Sequence, residues 1–118
     1  MDISTALKFY KRREIQEEIV RHAENREAAV QYNGIFGKRP EILHHPAEIL
    51  DAVQNGATSF HVSEERWFNP LQFSTALKKT ELEQLRSGWD LVLDIDCKVF
   101  EYSRIAADLI VRFLRSQG

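Results

Sequence analysis

Asp94 and Asp96 are the residues of this sequence best suited to chemistry. On an extended strand, side chains two positions apart project from the same face. The run before them, Trp89-Asp90-Leu91-Val92-Leu93, is nearly all apolar, which predicts a central strand covered on both faces. Two carboxylates at the end of such a strand concentrate negative charge in a partly desolvated place, and a cation relieves that cost. Mg²⁺ or Mn²⁺ takes oxygen ligands, commonly one or two carboxylates together with substrate phosphates. The pair therefore predicts a nucleotide-handling metal site. A plainer alternative competes with it. Asp-x-Asp arises often by chance, and aspartates at strand ends also cap turns.

Other groups carry weaker signals. Arg66-Trp67-Phe68 combines a guanidinium with two aromatic rings, a set able to stack on bases, although aromatics beside a strand end commonly belong to a core. Lys38-Arg39 follows Gly37 and could meet a phosphate through charge and free amides. It lacks the Gly-x-x-x-x-Gly-Lys-Ser/Thr spacing of a P-loop, and an exposed turn is the simpler reading. His44, His45, His61 and Cys97 do not have zinc-ligand spacing. Cys97 itself reads as a small buried packing residue, because only Lys98 is near enough in sequence to favour its thiolate.

These residues are carried by recognisable elements. Ser4 to Glu24 reads as one helix, with Ile15, Ile19 and Ala23 at a spacing of four and a solvated face of Lys11, Arg12, Arg13, Glu17 and Glu18. Arg26 to Tyr32 reads as a strand closed by the turn pair Asn33-Gly34. A helix starts near Pro46 and stops at Asn55-Gly56. Thr58 to Glu64 alternates, with Phe60 and Val62 on one face and Ser59, His61 and Ser63 on the other. A short helix follows around Thr80 to Leu85. The strand Trp89 to Asp96 and the helix Glu101 to Ser116 complete the chain. Tyr102, Ile105, Ala106, Leu109, Ile110, Phe113 and Leu114 form the apolar stripe of that helix. The order predicts a mixed α/β (α+β) fold, a small sheet flanked by helices, in a single domain over residues 1–118.

The bulk numbers are those of an ordinary globular protein. The hydrophobic fraction of 43% allows a core, and a net charge of -2 argues against a global basic field for nucleic acid. One cysteine excludes an internal disulfide. No apolar run approaches the length of a membrane span, the start has no signal-peptide character, and the expected location is cytoplasmic with no membrane partner.

Two known patterns share an apolar strand ending in Asp-x-Asp. The haloacid-dehalogenase phosphatases continue to a Thr, with the first aspartate as nucleophile. Here Lys98 stands in place of that Thr and only 22 residues follow Asp96, so this pattern is set aside. The second pattern extends over most of the chain. Phe9-Tyr10 lies in a helix, Asn25-Arg26-Glu27 leads a strand, and Ala57-Thr58-Ser59-Phe60-His61-Val62-Ser63 runs towards Asn69-Pro70. Gly88-Trp89 then opens the strand ending Asp94-Ile95-Asp96. In this order and spacing the chain resembles the front part of the catalytic small subunit of archaeal/eukaryotic-type DNA primases.

The resemblance implies a primase-type catalytic core and template-directed primer synthesis from nucleoside triphosphates by a two-metal mechanism. Asp94 and Asp96 match the metal-binding, catalytic aspartates, with Mg²⁺ or Mn²⁺ as cofactor. Arg26 matches the arginine of the family's Arg-Glu strand, and with Arg66 it is the expected nucleotide-binding residue. DNA template, primer and a large primase subunit are the implied partners. Three family features have no match here: a later strand carrying Ser-x-His, a third aspartate, and the zinc knuckle of some members. The expectation is therefore an N-terminal part of the core, catalytically incomplete, whose uncovered sheet edge favours self-association. The alternative is a non-catalytic module that binds nucleic acid or a replication partner and keeps a vestigial acidic pair.

Overall fold

The protein is described by a computed structural model covering residues 2–118. It is a mixed α/β structure of five helices and two small antiparallel sheets. The first helical stretch is two helices, α1 (Ile3–Tyr10) and α2 (Arg13–Ala23), where the sequence suggested one. No proline or glycine causes the break. Arg12 adopts an extended conformation, and the Gln16 side chain donates to the freed Tyr10 carbonyl at 2.6 Å. The turn lets Tyr10 pack edge-on against Phe60, with ring centroids 5.3 Å apart. Tertiary packing outweighs helix continuity here, since propensity is only a weak prior.

Strand β1 (Ala28–Tyr32) is the centre of the larger sheet, with β2 (Ile35–Phe36) on one side and β3 (Ser59–Val62) on the other. Asn33 and Gly34 both have positive φ, 54° and 85°, the backbone that a tight two-residue hairpin requires. Between β2 and β3 comes α3 (Pro46–Gln54). Glu48 fixes its start by accepting from the backbone N–H groups of His44 at 2.6 Å and His45 at 3.0 Å, which satisfies donors that a helix entry leaves orphaned.

One face of the sheet makes the core. Ala28 and Val30 of β1 join Ala23, Leu43, Ile49 and Ala57, with Tyr10, Ile19, Val20, Tyr32 and Phe60 packed around them. Ile49, Val30 and Val53 are almost fully sealed from solvent. The register Gln31↔Ser59 and Ala29↔His61 places a polar row on the opposite face.

A second unit follows. Strands β4 (Glu65–Trp67) and β5 (Arg86–Trp89) pair antiparallel, with a 3₁₀ turn over Pro70–Gln72 and helix α4 (Lys79–Leu85) between them. Trp67 ties this ribbon to the first unit by donating its backbone N–H to the Asn25 carbonyl at 2.7 Å. Helix α5 (Phe100–Ser116) ends the structure, and none of its residues is buried.

The largest departure from expectation lies between β5 and α5. Leu91 to Cys97 belongs to no strand, and Leu91, Val92 and Leu93 are 71%, 62% and 52% exposed. The pairing of β5 runs out when Asp90 donates its N–H to the Glu64 carbonyl at 2.8 Å. An apolar run becomes a central strand only where flanking strands supply hydrogen bonds and layers cover both faces. Among the described residues neither is present. Cys97, expected in the interior, is exposed for the same reason. Among the described residues no helix is long and apolar enough to cross a membrane.

Candidate metal and nucleotide site

Asp94 and Asp96 are both exposed and lie outside regular structure. The rule that residues two apart share a face holds for a strand, so the backbone does not fix their carboxylates side by side. Among the described residues, no group of three or more His, Cys, Asp or Glu side chains is gathered to hold a metal. As a donor set, the pair fits a hydrated Mg²⁺ or Mn²⁺. Such ions keep several waters and bind through one or two carboxylates plus substrate phosphates. It does not amount to an all-protein cage.

Four residues before Asp94 the structure becomes well defined. Arg26 grips Asp90 with two parallel hydrogen bonds, Nε to Oδ2 and Nη2 to Oδ1, each 2.8 Å. Its Nη1 donates to the backbone carbonyls of His22 at 3.0 Å and Glu24 at 3.3 Å. The side chain is 13% exposed and that of Asp90 31%. Asn25, at a φ of 59°, turns the chain from α2 so that Arg26 points towards the ribbon. The Arg26 hydrogen bonds hold the Asp90 carboxyl below its usual range; partial burial opposes them, and the charges of Arg26, Arg66 and His22 add to the effect. Charge-assisted pairs of this two-pronged kind give geometric specificity as well as energy. Arg26 therefore has most of its donors committed, and it acts as a clamp on the segment leading to Asp94. Asp90 was the partner that sequence alone left out. Its one signal was a charge set inside an otherwise apolar run.

Arg66 is differently placed. It sits on β4 opposite Gly88, is exposed, and has no carboxylate within ion-pair distance among the described residues. A side chain built at Gly88 would meet nothing within 4 Å, so this face of the ribbon is open. Phe68, next but one along the chain, is 73% exposed. Trp67 lies on the other face, buried against Phe73 at 5.4 Å and under the Arg86 guanidinium at 5.2 Å. Arg86 also covers Trp89 at 4.6 Å and pairs with Glu65 at 3.0 Å. The three-residue run is thus divided, with Trp67 structural and Arg66 and Phe68 facing solvent. Beside them a cleft of about 250 Å³ is lined by Arg26, Phe68, Asn69, His44 and Glu41, among others.

The extended reach of a chain is about 3.5 Å per residue, so Asp94 lies within roughly 14 Å of Asp90 and its arginine clamp. Elsewhere, the polar face of the larger sheet carries Ser59 with its Oγ 2.8 Å from His61 Nε2, and a buried Glu27 paired with Arg39 at 2.8 Å. The alternation of Thr58 to Glu64 had already put Ser59 and His61 together, whereas nothing in the sequence joined Glu27 to Arg39.

Compared with known proteins, the chain matches no family model, no curated protein and no solved structure.

Proposed function

We propose that this chain is a primase-like nucleotidyltransferase region. In this reading Asp94 and Asp96 recruit Mg²⁺ or Mn²⁺ together with a nucleoside triphosphate, and Arg66 offers positive charge to its phosphates. The bound ions would supply charge neutralisation at the phosphates and a lower pKa for the attacking hydroxyl. Arg26 holds the segment in place through Asp90 and leaves ligand contact to its neighbours. The observation that carries the reading is the Arg26–Asp90 pair. It joins two segments 64 residues apart in sequence, Asn25-Arg26-Glu27 and Gly88 to Asp96, which are two of the ordered segments that carry the primase resemblance.

The test is calorimetric titration of Mn²⁺ into the chain, alone and with a nucleoside triphosphate. The double variant Asp94→Asn/Asp96→Asn serves as comparison. The wild type should release heat that the variant does not, and the triphosphate should increase the difference. Equal heats in both proteins would sink the metal site.

A second reading has an observation of its own. Arg66 and Phe68, two residues apart in the chain, are both exposed, a pair of groups that suits phosphate contact and base stacking in a non-catalytic binding module. Base stacking on an aromatic is worth about 1–3 kcal/mol per base. Metal-independent binding of single-stranded DNA, weakened by Phe68→Ala and Arg66→Ala and untouched by the Asp94/Asp96 variant, would favour this module over the enzyme.

A further inference from the structure

The polar face of the larger sheet carries a recess of about 120 Å³, and none of its lining residues belongs to the ribbon or to the segment of Asp94 and Asp96. Register places Ala29 opposite His61 and Gln31 opposite Phe36, so all four project from this face. The small Ala29 side chain leaves room for Phe36 and His61 to meet, with ring centroids 5.3 Å apart and planes at 73°. Ser59 Oγ, 2.8 Å from His61 Nε2, fixes that ring. Glu27 lines the recess as well. Its backbone is pinned, because Ser63 accepts its N–H through Oγ at 3.0 Å and donates an N–H to its carbonyl at 2.9 Å.

The Glu27 carboxylate decides what the recess can hold. Its side chain is only 8% exposed, and a buried carboxylate is tolerated where its oxygens are paired and hydrogen-bonded. Arg39 Nε donates to Oε1 at 2.8 Å. Oε2 accepts from no donor among the described residues, yet it is not sealed away, since Trp67 Nε1 is the sealed side-chain atom that lacks a partner. An acceptor is therefore left open where Glu27 lines the recess.

Each class of occupant meets this arrangement differently. An anion meets the charge of Glu27. A cation meets Arg39, whose guanidinium lies 5.3 Å from the centroid of the Phe36 ring. An aliphatic group leaves Oε2 unpaired. A neutral planar group with N–H donors along one edge avoids all three costs and gains stacking on the rings. Among the nucleobases, guanine presents two donors side by side, N1–H and the 2-amino group, which match the two oxygens of a carboxylate. Adenine and cytosine set an acceptor beside their amino group, and thymine flanks its N–H with two carbonyls. A cavity of about 150 Å³ takes one benzene ring, so this recess admits the edge of one base and not a base pair. We propose that it binds a guanine base, from an unpaired strand or a free nucleotide, with N1–H and the 2-amino group on Glu27 and the rings against Phe36 and His61. The proposal stands apart from the metal chemistry assigned to Asp94 and Asp96.

The test is fluorescence anisotropy in EDTA with a labelled oligothymidine carrying one central guanine, hypoxanthine, adenine or thymine. The guanine strand should bind at least about fivefold more tightly than each of the others, the low end for a two-pronged contact to a base. Hypoxanthine is the sharpest comparison, because it keeps N1–H and loses only the amino group. Glu27→Gln should abolish the preference, and the comparison of strands on the wild type decides the matter even where this variant fails to fold. Phe36→Ala, at a position 41% exposed, should weaken the guanine strand about fivefold or more, with circular dichroism and the thermal midpoint unchanged. Arg66→Ala/Phe68→Ala lowers any general affinity for strands and should leave the guanine preference intact, which separates the recess from the ribbon. Displacement by guanosine monophosphate and not by adenosine monophosphate would support the site with free nucleotide as a source; resistance to both would support guanine within a strand. Equal binding of the four strands, a guanine preference that survives Glu27→Gln, or no strand bound at roughly 100 µM protein would each overturn the inference.

Discussion

Replacing Ile49 by alanine tests whether the protein's stability resides in the first unit. Ile49 is 0% exposed, at the meeting point of Val30, Leu43 and Ala57. The substitution deletes three buried carbon groups at about 0.8 kcal/mol each, and the cavity left behind adds more because neighbours relax only in part. The β1 backbone is held by strands on both sides, so little collapse is available, and the expected loss is about 3.5 kcal/mol. With an unfolding entropy near 2.1 cal/mol/K per residue, a chain of this length should melt about 14 °C lower. Urea denaturation gives the free energy, and calorimetry gives the midpoint and enthalpy. The matched control is Leu109→Ala on α5, where 59% exposure predicts a change within about 0.5 kcal/mol for dilute protein. An Ile49→Ala loss below about 1 kcal/mol would refute this assignment of the core. So would equal losses at the two sites, because stability would then be shared with elements described as uncovered.

Two further outcomes follow from local geometry. Because the folded Asp90 carboxyl titrates below its usual value of 3.8, its contribution is complete above that value and is lost as pH falls through the folded pKa. Urea titrations across pH should therefore show Asp90→Asn less stable than wild type near neutrality, with the gap closing below about pH 4; a gap that persists into strong acid would mean the pair acts through shape alone. Gly34→Ala should cost about 1 kcal/mol by thermal denaturation, since its φ of 85° is unfavourable to a side chain. A Cβ there meets nothing within 4 Å, so a loss above about 3 kcal/mol would point to a clash and not to backbone preference.

Local rules of chemistry were readable in the sequence wherever a residue acts on its own neighbours. Pro46 and Asn55-Gly56 bracket α3, Asn33-Gly34 turns the hairpin, and the alternation after Thr58 puts Phe60 at the core and Ser59 beside His61, although Val62, expected on the inner face, is 38% exposed. The mixed α/β class follows from that order. What escaped depends on distant partners. The break at Lys11-Arg12 has no local cause and answers to Phe60 across the core. The run Leu91–Ile95 has the composition of a buried strand, but composition cannot supply a neighbouring strand. Asp94 and Asp96 inherit that gap, since their same-face arrangement assumed the strand. Arg26 was expected to bind nucleotide; its donors are instead engaged by Asp90 and backbone carbonyls, and with Asp90 64 residues away no pattern of spacing could pair them.

The Arg26–Asp90 contact also orders events in time. The α2–β1–hairpin–α3–β3 unit is built from pairings within some forty residues, whose loops close at low entropic cost. The ribbon's first strand follows β3 by two residues, whereas its second strand must be brought back over the 64 residues between Arg26 and Asp90, beside the Trp67–Asn25 hydrogen bond. The β5 edge should dock after the core has formed and open before the core yields. Opening would free Arg26 and detach Asp90, the anchor of the segment that leads to Asp94 and Asp96. On the proposed function, a ligand that binds this segment only while Asp90 is docked would stabilise the docked anchor by mass action.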